Sequence, residues 1–99
     1  MTDIQNQLLY ITKLLTGDFN LPNLRGIIAF WRKKDLTVCL SFYFNGDINQ
    51  HDKDEINDLG AGIIAHFPES LLEDEIIRID KPRLLPESSF WAYKQSGEL

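Results

Sequence analysis

Apolar residues first recur at Ile4, Leu8, Ile11 and Leu15, at spacings of four, three and four that line one face of a helix. Thr2 or Asp3 precedes this face as a helix cap, and Gly17 follows it as a stop. Beyond the turn-forming stretch 18–23, residues 25–32 are too few and too rich in β-branched and aromatic side chains for a helix, and they predict a strand. Lys33-Lys34-Asp35 makes a polar hairpin turn. Period two then takes over: Leu36, Val38, Leu40, Phe42 and Phe44 share one side of a second strand. Asn45-Gly46-Asp47 ends that strand, and Asn49 caps a second helix that turns Ile56, Leu59, Ile63, Ile64 and Phe67 to one face before Pro68 closes it. Gly60 and Gly62 each lower helix propensity by about 1 kcal/mol, so this helix is expected to pack its backbone closely on a sheet. A strand at 75–80, a stiff connection through Pro82 and Pro86 and a last strand at 89–94 complete the chain.

The order αββαββ predicts an α+β fold in which two helices pack on one face of a four-stranded sheet. The pattern leaves the strand order open. With 99 residues, 43% of them hydrophobic, the chain reads as one domain over 1–99 with an ordered core of about 2–95 and a loose tail after Gln95.

Charge narrows the function. Fifteen acids against ten bases give a net charge of −5, which opposes general affinity for nucleic acid or an anionic membrane. No apolar run approaches the roughly 20 residues of a spanning helix, and the start of the chain lacks a signal-peptide layout, so a cytoplasmic location is expected. Ten of the acids fall within 47–80, against only Lys53 and Arg78. Asp52, Asp54, Glu55 and Asp58 open the second helix, where acids favour the helix dipole. Glu73, Asp74 and Glu75 are expected on the loop beyond it. Together they form either an acidic partner-binding surface or a merely solvated face.

Candidate chemistry is sparse. Residues 47–58 begin like a calcium loop, but Asp52 stands where the turn needs glycine and Asp58 where a bidentate glutamate belongs. His51 and Glu55 are four apart, two zinc ligands without a third. The single cysteine, Cys39, excludes an internal disulfide, and with no base placed beside it reads as a structural thiol. No nucleophile elbow or phosphate loop is present. The expectation is a protein without enzyme activity, cofactor or metal. The opposite side of the second strand, with Thr37, Cys39, Ser41 and Tyr43, is half polar and a candidate interface. Trp31, Trp91 and Tyr43 are its anchor candidates, whereas Phe30 and Phe90 are assigned to the core.

Three segments carry a resemblance: Phe42-Tyr43-Phe44-Asn45-Gly46-Asp47; Ile63-Ile64-Ala65-His66-Phe67-Pro68; and the close with Ile77-Arg78-Ile79-Asp80-Lys81-Pro82, Leu85-Pro86 and Trp91-Ala92-Tyr93-Lys94. Together they resemble small bacterial immunity proteins of the contact-dependent inhibition and polymorphic-toxin kind, over about residues 25–95. The resemblance implies a cytoplasmic, non-enzymatic protein that binds a cognate toxin domain, for which an acidic surface suits the basic groove of a nuclease. The competing reading is a homo-oligomeric module, a homodimer in its simplest form, pairing through the open sheet face or an edge strand.

Overall fold

The structure, a computed structural model, describes residues 3–98. Helix α1 (Ile4–Thr16) starts at Asp3, whose carboxylate accepts a hydrogen bond from the Gln5 amide at 3.1 Å; Thr2, the other expected cap, lies outside the described residues. Its buried side is Leu8, Thr12 and Thr16 with Leu15 half-buried, while Ile4 is exposed. Thr16 tolerates burial because its hydroxyl donates to the Thr12 carbonyl at 2.6 Å, one turn back, whereas the buried Thr12 hydroxyl has no partner among the described residues.

Strands β1 (Leu24–Arg32) and β2 (Thr37–Phe44) form an antiparallel hairpin whose turn is a short 3-10 segment, Lys33–Asp35. Leu36 belongs to that turn and not to the strand: its φ is +53° and its side chain is exposed. From Val38 onward the expected parity holds, with Val38, Leu40, Phe42 and Phe44 all buried. Helix α2 (Gln50–Ile64) crosses back over the sheet, which lets β3 (Leu71–Arg78) pair parallel to β2 without a break from Thr37↔Leu71 to Phe44↔Arg78. Strand β4 (Trp91–Lys94) pairs antiparallel with β1, giving the order β3-β2-β1-β4. Helix α1 covers β1 and β4, and α2 covers β3 beside it. The fold is therefore α+β with the element order αββαββ.

Two boundaries differ from the pattern. Strand β3 begins at Leu71, so Glu73, Asp74 and Glu75 lie on a strand and not on a loop. Backbone pairing with β2 imposes extended structure on a segment whose acids favour a loop reading, a case of tertiary context overriding propensity. Strand β4 is only four residues long and carries a register shift against β1 between Ile27 and Ile28. Past its end, the Gln5 side chain of α1 supplies what a longer strand would: its amide donates to the Ala29 carbonyl at 2.9 Å and its oxygen accepts from the Trp31 amide at 2.8 Å.

The tail after Gln95 is tied down. Glu98 accepts two hydrogen bonds from the buried Arg25 guanidinium, at 2.6 and 2.8 Å, and Arg25 spends its remaining reach on the Ile79 carbonyl at 2.7 Å. The forked geometry joins β1, the exit of β3 and the C-terminal segment at one point.

Phe42→Ala is expected to cost about 3–5 kcal/mol in urea unfolding, because it empties the centre of the sealed face. A second expectation concerns acid. The Arg25 hydrogen bonds hold the Glu98 carboxyl below the ordinary glutamate value of 4.5, against the opposing effect of burial. With the folded value depressed, its stabilisation is complete above about 4.5 and is lost as pH falls through the folded value. Glu98→Gln should thus be less stable than wild type at about pH 7, with the gap closing as pH falls below the ordinary glutamate value of 4.5 and through the lower folded value, in the same unfolding assay. A gap that persists in acid would assign the tether to packing and not to charge.

Candidate functional site

With Leu40 and Phe42 turned to the helices, Cys39, Ser41 and Tyr43 face the other way, and paired residues share that face. The register brings Phe30 and Glu73 beside Cys39, and Ile28 and Glu75 beside Ser41. Trp91 joins from β4 opposite Ile28. No helix covers this side. Phe30 and Phe90, expected in the core, meet each other instead with ring centroids 5.0 Å apart and remain half-buried. The reason is parity: Phe30 pairs with Cys39, so it cannot share the face of Leu40.

A second aromatic pair, Tyr43 and Trp91, lies at 5.5 Å, and Lys94 sits 5.1 Å above the Trp91 ring. This indole fills the space over Gly26: a Cβ there would stand 2.7 Å from the ring and 3.0 Å from the Tyr93 carbonyl. Gly26 is therefore required for Trp91 to lie flat on the sheet.

Toward β3 the face becomes polar around a depression of about 340 Å³ lined by Phe30, Arg32, Cys39, Ser41, Glu73 and Glu75. Arg32 donates to Asp35 at 2.8 Å and to Glu73, and its hydrogen bonds to Asp35 first and to Glu73 second raise its pKa. Glu75 accepts from the Ser41 hydroxyl at 3.0 Å. Burial pushes the Cys39 thiol and the Tyr43 phenol above their ordinary values, so both are neutral at pH 7 and the thiol is a poor nucleophile.

The sequence-predicted residues do not gather on one surface. Asp52 is buried: it accepts from the Asn49 amide at 3.3 Å while Asn49 accepts from its own amide at 2.8 Å, a capping box that occupies it structurally. Asp54 and Asp58 are exposed and Glu55 half-buried on α2, on the helix-covered side. Asp74 points to that side too, 3.6 Å from the position a Cβ on Gly60 would take. Only Glu73 and Glu75 share the open face with Tyr43 and Trp91. Trp31 pairs with Val38 and so lies on the helix side, where it borders an apolar depression with Ile4, Leu36, Phe67 and Pro68.

Sequence reasoning missed Phe30, Phe90 and Gly26 as parts of this face. The signal was available for Phe30, because the antiparallel register of the hairpin fixes its partner once the turn length is known. Two of the three segments that carry the family resemblance, 42–47 and 77–82, prove to be joined at the far end of β2 and β3. Asp80 accepts from the Gly46 amide at 2.7 Å, Arg78 donates to Asp47 at 2.6 Å, and Asn45 accepts from the Lys81 amide at 2.8 Å. Gly46 has φ +82°, which suits glycine in that turn.

No group of three histidine, cysteine or acidic side chains able to hold a metal occurs among the described residues, and no helix there is long and apolar enough to cross a membrane. A small α+β domain with an uncovered aromatic face and a neutral, half-buried thiol has the chemistry of a protein-binding module. The chain belongs to the MafI2 immunity protein family, whose model matches residues 6–96. No curated protein matches it. Membership implies a non-enzymatic inhibitor that binds a cognate toxin protein.

Gly26→Ala is expected to displace Trp91 from the sheet, cost about 1–3 kcal/mol and shift the tryptophan emission toward that of a hydrated indole. An unaltered emission spectrum in this variant would show that the ring can share the space.

Proposed function

We propose that this chain is a cytoplasmic immunity protein that neutralises a nuclease toxin of the contact-dependent or polymorphic kind by covering its basic substrate groove. The family match over residues 6–96 carries the reading. The finer chemistry rests on charge: ten acids and two bases within 47–80 give the protein a one-signed field. A partner with a basic groove gains steered association from such a field, with rates up to about 10⁸–10⁹ M⁻¹s⁻¹ at low salt. Fast capture matters to an inhibitor that must intercept its target before damage begins.

Self-association, the competing reading, is opposed at the longer exposed edge. In an antiparallel pair of β3 strands from two copies, the register that overlaps all eight residues sets Asp74 opposite Glu75 twice. Like charges directly opposite are destabilising in a sheet.

The test replaces Asp54, Glu55, Asp58, Glu73, Asp74 and Glu75 together by Asn or Gln, leaving Asp52 to hold its cap. The variant should fold, associate with an inactivated toxin domain from the neighbouring gene at least about tenfold more slowly at low salt, and lose most of its dependence on ionic strength. Unchanged kinetics would remove the electrostatic mechanism, and a wild-type chain that fails to bind that domain would remove the immunity reading.

A further inference from the structure

We propose that the toxin inserts one lysine or arginine side chain into the depression on the open sheet face, where Phe30 and Glu75 receive it, and that the acids of α2 stay outside the contact. The inference rests on the immunity reading above and names the surface and the partner chemistry that reading leaves open.

Charge pairing around the depression is incomplete in one place. Arg32 lies between Asp35 and Glu73 and satisfies both. Glu75 accepts only the neutral Ser41 hydroxyl, and among the described residues no cation pairs with it. Glu75 lies one same-face residue pair along from the Phe30–Cys39–Glu73 row and lines the same depression as the Phe30 ring. An entering ammonium or guanidinium group can there take charge-assisted hydrogen bonds from the acid and a cation–π surface from the ring. The floor between them is the half-buried Cys39, whose thiol stays neutral because burial disfavours its charge, so no thiolate competes for the cation. A partly dehydrated floor also strengthens the pair that forms on it.

Other occupants fit less well. A metal ion would need further ligands, and the described residues provide no set of three. A second copy of this chain would present the same face, whose cations are already engaged: Arg32 binds two carboxylates and Lys94 sits over the Trp91 ring. The acids of α2 lack the aromatic partner: Asp52 is locked in the capping box and Asp54 accepts from the Gln50 amide at 2.9 Å. They add to the field around the molecule without forming a seat.

The inactivated toxin domain encoded beside this chain's gene serves as the probe, with association and dissociation measured separately. Glu75→Gln and Phe30→Leu should each speed dissociation at least about tenfold while leaving the association rate within about threefold, the pattern of a buried anchor. The triple variant Asp54→Asn, Glu55→Gln, Asp58→Asn should leave dissociation unchanged. Thermal melts of all variants exclude loss of fold, and Glu75→Gln, a substitution at an exposed position, carries the test if Phe30→Leu melts early. Alanine substitution of the toxin's lysines and arginines should find one whose effect vanishes in the Glu75→Gln background. Tight wild-type binding with dissociation insensitive to Glu75 and Phe30, or with no toxin cation coupled to Glu75, overturns the seat and spares the immunity role. No binding by wild type overturns both.

Discussion

Burial on one side of β2 is the constraint on which the rest of the molecule depends. Val38, Leu40, Phe42 and Phe44 alternate inward, and Ile27 and Ala29 of β1 meet them in register, so both helices are drawn to the same face. Among the described residues no helix packs on the other side. The consequence is an uncovered face carrying side chains that would be core residues in a larger protein. Phe30, Phe90, Tyr43 and Trp91 shield one another in pairs there, which buries Tyr43 and leaves Phe30, Phe90 and Trp91 half-buried and within reach of a partner.

Maintaining that open face requires anchoring at its margins. The four residues of β4 cannot cover the whole of β1, and α1 sends Gln5 around to satisfy the Ala29 carbonyl and Trp31 amide that the short strand leaves behind. At the opposite end, Arg25 and Glu98 tie the C-terminal segment to the exit of β3. Both devices join residues more than 20 positions apart through side-chain hydrogen bonds, and both hold the frame around Trp91 and Lys94.

Local periodicity explains which parts were legible beforehand. The helices, the hairpin and the buried row of β2 follow from spacings of three, four and two, and these appear in any single segment. Long-range partners do not. The acids at 73–75 read as loop because nothing local shows that β2 will impose a strand on them. Asp52 reads as surface because a capping box needs the geometry of Asn49 as well as its identity. Glu98 reads as tail because its partner is 73 residues away. The candidate site was legible as a half-polar face with Tyr43 and Trp91, while its acidic margin and its Phe30 wall depended on strand order.

Separation of the acids onto two faces divides their physical roles. Beyond a few ångströms the field of the molecule is set by net charge, and the −5 of the chain acts on an approaching basic protein wherever its carboxylates sit. Screening confines that action to roughly 8–10 Å at physiological salt, so steering works in the last approach and depends little on the contacts that follow. Residence is a different matter, because it depends on charges that lose water against a complementary surface. Asp54 and Asp58 on α2 are exposed on the helix-covered side, and in the proposed contact they act through the first process alone. Glu75 is exposed too, but it lines the depression shared with a half-buried thiol and a phenyl ring, and in the proposed seat it would surrender water to a partner's side chain. Sequence proximity grouped these carboxylates by number, whereas the sheet sorts them by how much solvent each would surrender on contact.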